Sequence, residues 1–87
     1  MAWVYILKSV NESKTYVGST TDLVRRLNEH NSGKHSYTKR HSPWVVAYRE
    51  EIVSLIDARK REKYFKSAAG RRFIKQNNLI HSAVAQR

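Results

Sequence analysis

One carboxylate constrains this chain more than any other residue. Ser54 followed three residues later by Asp57 reads as a helix-opening cap, and Gly70 reads as the stop of the same helix. Projected at about 100° per residue, Leu55, Ala58, Phe65 and Ala69 fall on one stripe. Glu62 falls in the middle of that stripe, while Arg59, Lys60, Arg61, Lys63 and Lys66 take the flanks and far side. A glutamate on the core-facing side of a small domain needs a cation, a hydrogen-bond network or a metal ion. It is then either half of a structural salt bridge or a metal-binding or acid/base carboxylate in a cleft. What stands opposite Glu62 decides between them.

The length of 87 residues predicts one domain, 1–87, with one modest core. With 17 Lys+Arg against 7 Asp+Glu, the net charge of +10 points to a polyanionic partner, DNA first and RNA second. Membrane binding is disfavoured, because no basic amphipathic helix carries a wide apolar face of Trp, Phe and Leu. No apolar run approaches the length of a membrane span. Cysteine is absent, which excludes a disulfide framework and a thiolate metal site. The apolar start, Met1 to Val10, lacks a basic lead and reaches Lys8 early, so it reads as a strand and not a signal peptide. A soluble, intracellular, cytoplasmic protein is expected.

Ala2 to Ser9 is rich in β-formers and predicts the first strand. Asn11-Glu12-Ser13-Lys14 reads as a turn, and Thr15 to Gly18 as a second strand pairing antiparallel with the first. Thr20, Thr21 and Asp22 offer caps for a helix over about Asp22 to Asn31, ending near Gly33. Gly33 to Pro43 reads as a basic polar loop, and Trp44 to Arg49 as the third strand. After the Ser54 helix comes a short helical segment, Arg71 to about Asn78, and a tail from Leu79 whose last residues, His81 to Arg87, carry little pattern. The expected fold is α+β, a small three-stranded, mainly antiparallel sheet flanked by helices.

Several polar residues converge in this scheme. Side chains alternate along a strand, so Tyr5 and Tyr16 share a sheet face if the turn between them holds an even number of residues. Gly18 permits close backbone approach or positive φ. On the first helix Leu23 and Leu27 define the buried stripe. Arg26 and His30, four apart, share one edge of it at the boundary of core and solvent, whereas Arg25 points outward as a candidate phosphate contact. In the basic loop Lys34, His35, Lys39, Arg40 and His41 surround Tyr37, with Ser36, Thr38 and Ser42 between them. Cations around an aromatic suit a nucleic-acid backbone and an unstacked base.

Trp3-Val4-Tyr5 followed by Tyr16-Val17-Gly18 resembles the paired motif of the GIY-YIG nuclease superfamily. Ser19 to Asn31, with Arg26 and His30, resembles the helix that follows, and Glu62 falls where the family has its metal-binding glutamate. The resemblance runs from Val4 to about Lys66, with Trp3 replacing the usual first glycine. Asn77 and Asn78 are available where many members use an asparagine, but they are not assigned to the catalytic set. The chain looks like the small stand-alone branch. The resemblance implies a metal-dependent endonuclease acting on DNA phosphodiesters, with structure-specific cleavage as an option it leaves open. In it Glu62 holds Mg²⁺ or Mn²⁺, Arg26 contacts a phosphoryl oxygen, Tyr5 or Tyr16 acts as base on water, and His30 relays the proton or bonds a tyrosine. The alternative is a nucleic-acid-binding module, for DNA or RNA, that kept the fold with little or no catalysis.

Overall fold

A computed structural model describes residues 1–80, so the expectation for His81 to Arg87 lies outside the described residues. Three strands, β1 (Ala2–Ser9), β2 (Thr15–Thr20) and β3 (Trp44–Ile52), form one antiparallel sheet in the order β2-β1-β3. Among the described residues four helices accompany it: α1 (Leu23–Asn31), α2 (Ser36–Arg40), α3 (Leu55–Lys66) and α4 (Ala68–Gln76). This is the α+β architecture expected, with β2 and β3 each running further than the residue pattern indicated.

The central strand explains its own composition. Val4 and Ile6 face a core completed by Phe65 of α3 and Ile74 of α4. Tyr5 and Leu7 face the other way, onto Trp44, with Tyr16, Leu23 and Leu27 around them. A strand covered on both faces reads as a continuous apolar run, as Val4 to Leu7 does. A register shift between Ile6 and Leu7 interrupts the β1–β3 pairing.

Three helical expectations are corrected. The Gly33–Pro43 segment is not all loop: Ser36 to Arg40 closes into α2. Its signal is tertiary, since buried Thr38 and the 2.7 Å bond from Trp44 Nε1 to the Thr38 carbonyl hold the turn in place. The Ser54 helix does not continue to Gly70. It ends at Lys66, and Ser67 serves both helices, its Oγ donating to the Tyr64 carbonyl at 2.6 Å and accepting from Gly70 N at 3.1 Å. Gly70 is therefore no stop. It sits in the first turn of α4 against the end of α3, where an added Cβ would lie 2.6 Å from Phe65 Cα. The glycine that ends a helix with positive φ is Gly33, at +89°, just beyond α1.

Arg61, expected among the solvated flanking cations, is instead the clamp that fixes α3 to the sheet. Its guanidinium donates to both oxygens of Glu50 on β3, at 2.9 and 3.0 Å, and Tyr48 OH donates to the same carboxylate at 2.6 Å. It also lies 4.6 Å from the Phe65 ring centroid, 5.0 Å from Tyr64 and 5.3 Å from Phe73. Planar, always charged and weakly hydrated, arginine fits such a slot better than lysine. No helix among the described residues is long and apolar enough to cross a membrane.

Candidate active site

The site gathers at the outer edge of β2, which no other strand covers among the described residues. Tyr5 stands opposite Gly18 and Leu7 opposite Tyr16, so the two tyrosines share a face, their ring centroids 6.4 Å apart. This is the even-loop case of the hairpin argument. Gly18 has no positive φ; what it provides is room. The Tyr5 phenol lies directly over it, and a Cβ there would come within 2.6 Å of Tyr5 Cζ and 3.0 Å of Tyr16 Cε2.

From α1, His30 reaches this cluster. Its Nε2 is 3.0 Å from Tyr5 OH, and its Nδ1 is 3.1 Å from Thr38 Oγ1 on α2. The boundary position expected for His30 is wrong: the residue is wholly buried, because α2 and the two tyrosine rings close over it. Burial, then the charge of nearby Arg26 and the presence of His35, lowers the imidazole pKa to about 4. Burial likewise pushes the Tyr5 phenol up to about 12, although the hydrogen bond from Arg26 opposes the rise. The resting site thus holds a neutral phenol and a neutral imidazole.

Arg26 lies at the boundary, as its place on the helix indicated, with 27% of its side chain exposed. Burial works against its charge, but its bonds to Tyr5 and Glu29 outweigh that and raise its pKa. Arg25 points outward, 58% exposed, into Glu29 at 2.7 Å and Asp22 at 3.7 Å. One turn of helix therefore splits two adjacent arginines between the site and the surface.

Glu62 arrives from the other side. Gly18 and Ser19 are neighbours on an edge strand, so they present opposite faces. Ser19 Oγ donates to Glu62 Oε1 at 2.6 Å, and Lys66 Nζ donates to Oε2 at 2.7 Å. The expectation that Glu62 lies buried in the stripe is corrected: Ala58 and Phe65 are buried, but Glu62 stands at their margin with 21% of its side chain exposed. The sheet ends at β2, so the part of α3 that overhangs it meets solvent. The carboxylate still acts on the Tyr5 phenol, raising its pKa by charge. Glu62 and Ser19 offer hard oxygen donors to a divalent cation, and no cluster of three or more His, Cys, Asp or Glu exists among the described residues. That donor set fits a hydrated Mg²⁺ or Mn²⁺, which is commonly held through one or two carboxylates with water and phosphate supplying the rest.

Beside β2 runs an open groove of about 930 Å³, lined in part by Tyr16, Tyr37, Lys8, Lys66, Arg71 and Lys75. Of the residues expected to meet nucleic acid, Tyr37 belongs here, its ring 6.3 Å from that of Tyr16. Lys39 and Arg40 are exposed on α2, and Arg25 and Lys34 line a separate shallow surface beside α1. Sequence reasoning passed over Ser19, Thr38 and the groove cations. The i, i+4 spacing of Arg71 and Lys75 marks a shared face, but nothing local says which face meets the site.

Residues 1–77 match the family profile described as the GIY-YIG catalytic domain. The chain belongs to the GIY-YIG family. Its relatives are UPF0213 proteins. That of Streptococcus agalactiae is 39% identical over 66 residues, covering 75% of this chain and 74% of the relative. The one from Syntrophus aciditrophicus is 39% identical over 80 residues, covering 86% and 91%. A Listeria welshimeri relative is 41% identical over 63 residues, covering 71% and 69%. No solved structure matches the chain. Membership of this family indicates a nuclease and hence a nucleic-acid substrate.

Proposed function

We propose that this GIY-YIG domain is a metal-dependent endonuclease that hydrolyses DNA phosphodiester bonds, with Tyr5, Tyr16, Arg26, His30 and Glu62 as its catalytic residues. The observation that supports this best is the buried pair of Tyr5 OH and His30 Nε2, 3.0 Å apart, with the Arg26 charge near enough to act on the same phenol. A tyrosine hydroxyl held against a histidine nitrogen inside the core is a ready path for a proton.

Phosphodiester hydrolysis requires an activated water, stabilised phosphoryl oxygens and an assisted leaving group. Arg26 presents a fork of donors to a phosphoryl oxygen while it orients Tyr5. Tyr5 accepts a proton from the attacking water as its own proton passes to His30 Nε2. With the phenol near 12 and the imidazole near 4, the two transfers must be concerted, since a free phenolate–imidazolium pair is far uphill in this pocket. Tyr16 walls the site beside His30, ring centroids 4.7 Å apart, and presents the groove to the substrate backbone. Glu62 and Ser19 would hold the cation, which when bound would supply Lewis-acid stabilisation to the phosphate and the leaving 3′ oxygen. Tyr37 and the cations Lys34, Lys39, Arg40 and Arg25 contact the nucleic acid outside the reacting bond.

A second reading has one observation in its favour. Lys66 already covers Glu62 with an ammonium group, as suits a binding module without catalysis. The two separate in one experiment. DNA and RNA substrates are incubated with Mg²⁺ and with Mn²⁺, beside Glu62→Ala. Cleavage of DNA that requires the metal and is lost in Glu62→Ala supports the enzyme; equal binding with no cleavage in either protein supports the module.

A further inference from the structure

Tyr5 is buried, so its hydroxyl proton must find an acceptor within the protein. Arg26 can only donate, which leaves His30 Nε2 as the acceptor in reach. An accepting Nε2 carries no proton, so the neutral ring carries it on Nδ1. That N–H points at Thr38 Oγ1, 3.1 Å away, and Thr38 disposes of its own proton on the His35 carbonyl at 3.3 Å. Every donor in the chain Tyr5–His30–Thr38–His35 then has an acceptor, and no buried side-chain polar atom is left without a partner among the described residues. The reverse direction would leave the Tyr5 proton without one.

We propose that Thr38 is a positioning residue for the reaction: its hydroxyl oxygen holds the His30 ring in the Nδ1–H tautomer, so that Nε2 stays open to the Tyr5 proton. The tautomer of a histidine is set by the bond its other nitrogen makes. During the concerted step the Tyr5 O–H bond breaks, the Nε2–H bond forms and the water proton replaces the one Tyr5 gave up. The imidazolium then has both N–H groups satisfied, one by Thr38 and one by the tyrosine oxygen. Thr38 itself never touches substrate. Its geometry is fixed from behind by Trp44, whose indole Nε1 donates to the Thr38 carbonyl at 2.7 Å, and α2 is thereby a buttress of the site as well as a basic surface.

This rests on Tyr5 acting as the base, and the test separates the two. In uniformly ¹⁵N-labelled protein, the His30 ring nitrogens are read by long-range ¹H–¹⁵N correlation, which distinguishes a protonated nitrogen from a bare one. The same proteins are assayed for single-turnover DNA cleavage with Mg²⁺. Wild type shows Nδ1 protonated. Thr38→Val, nearly isosteric but with no acceptor, shifts His30 toward the Nε2–H form and lowers the cleavage rate at least about tenfold, as expected for a catalytic histidine held in the wrong tautomer. Thr38→Ser keeps the oxygen and restores both the tautomer and most of the rate. A wild-type His30 with its proton on Nε2 overturns the proposal with no variant needed, and so does an unchanged tautomer in Thr38→Val. A tautomer that shifts without loss of rate removes Thr38 from the reaction and sinks the reading of Tyr5 as base.

Discussion

Gly18→Ala isolates the contact on which the site is built. The backbone of Gly18 lies outside the left-handed region, so alanine carries no conformational penalty there. The whole cost is steric: the new methyl meets Tyr5 Cζ at 2.6 Å, directly beneath a phenol that is 1% exposed. Something must move, and the ring cannot retreat without leaving His30. Overpacking of this kind costs about 1–3 kcal/mol. For a domain of this size each kcal/mol lowers Tm by roughly 4–8 °C. Displacing the phenol also opens the proton path, so single-turnover cleavage should fall by about 10² or more, the scale of a lost acid–base group. Tyr5→Phe supplies the control, removing the hydroxyl without crowding. If the argument holds, Gly18→Ala slows wild type severely and Tyr5→Phe hardly further, because both changes remove the same bond. Urea unfolding and cleavage rates for the four proteins of this cycle provide the test. Rate losses that simply multiply, or a Gly18→Ala protein with normal stability, would refute it.

Four other outcomes are expected. Glu62→Gln should abolish metal-dependent cleavage with little change in Tm, since the side chain is partly exposed and its Lys66 partner more so; wild-type cleavage by this variant would remove the metal role. Arg26→Ala should lower the single-turnover rate by about 10² or more while DNA affinity changes little, and Arg25→Ala should do the reverse; equal rate losses would mean that neither belongs to the reacting centre. Replacing Lys39 and Arg40 together by Ala should flatten the salt dependence of DNA binding by about two phosphate contacts, and an unchanged slope would take α2 off the binding surface. His30 should make stability depend on pH: its folded pKa, about 4, lies below the unfolded value near 6.5, so the unfolded chain takes up the proton first and stability falls as pH drops from about 6.5 to 4. A urea midpoint that is flat across that window, or that falls equally in His30→Asn, would contradict this assignment.

Local pattern made the hairpin, α1 and the start of α3 legible. Ser54 and Asp22 cap in the expected way, with Asp57 N and Arg25 N as their donors at 3.2 and 3.1 Å. The side of α1 that carries Arg26 and His30 followed from Leu23 and Leu27. What local pattern could not supply was depth. His30 looked like a boundary residue because the element that buries it, α2, has no apolar period and is held by a single threonine and an indole. Glu62 looked buried because a helical projection cannot know where the sheet beneath it ends. Gly70 looked like a stop because a glycine needed for close helix contact and one needed for positive φ are the same letter. Each miss concerns a contact between different elements, which the pattern of one element at a time cannot show.

The two halves of the candidate site have opposite physical characters. Tyr5, His30, Thr38 and Trp44 form a dry, fully bonded chain in which each group has one partner arrangement. A proton path gains from that rigidity, because misplacement by a fraction of an ångström breaks it. Glu62, Ser19 and Lys66 form the wet half, on an edge strand and an exposed helix margin. Glu62 and Ser19 are the groups that would hold a hydrated cation there, and their exposure would leave room for its water and for a phosphate. A divalent cation held there would offset the Glu62 charge that adds to the rise of the phenol pKa. Burial first, and the Glu62 charge after it, keep the Tyr5 phenol neutral, the form from which its proton can pass to His30 Nε2.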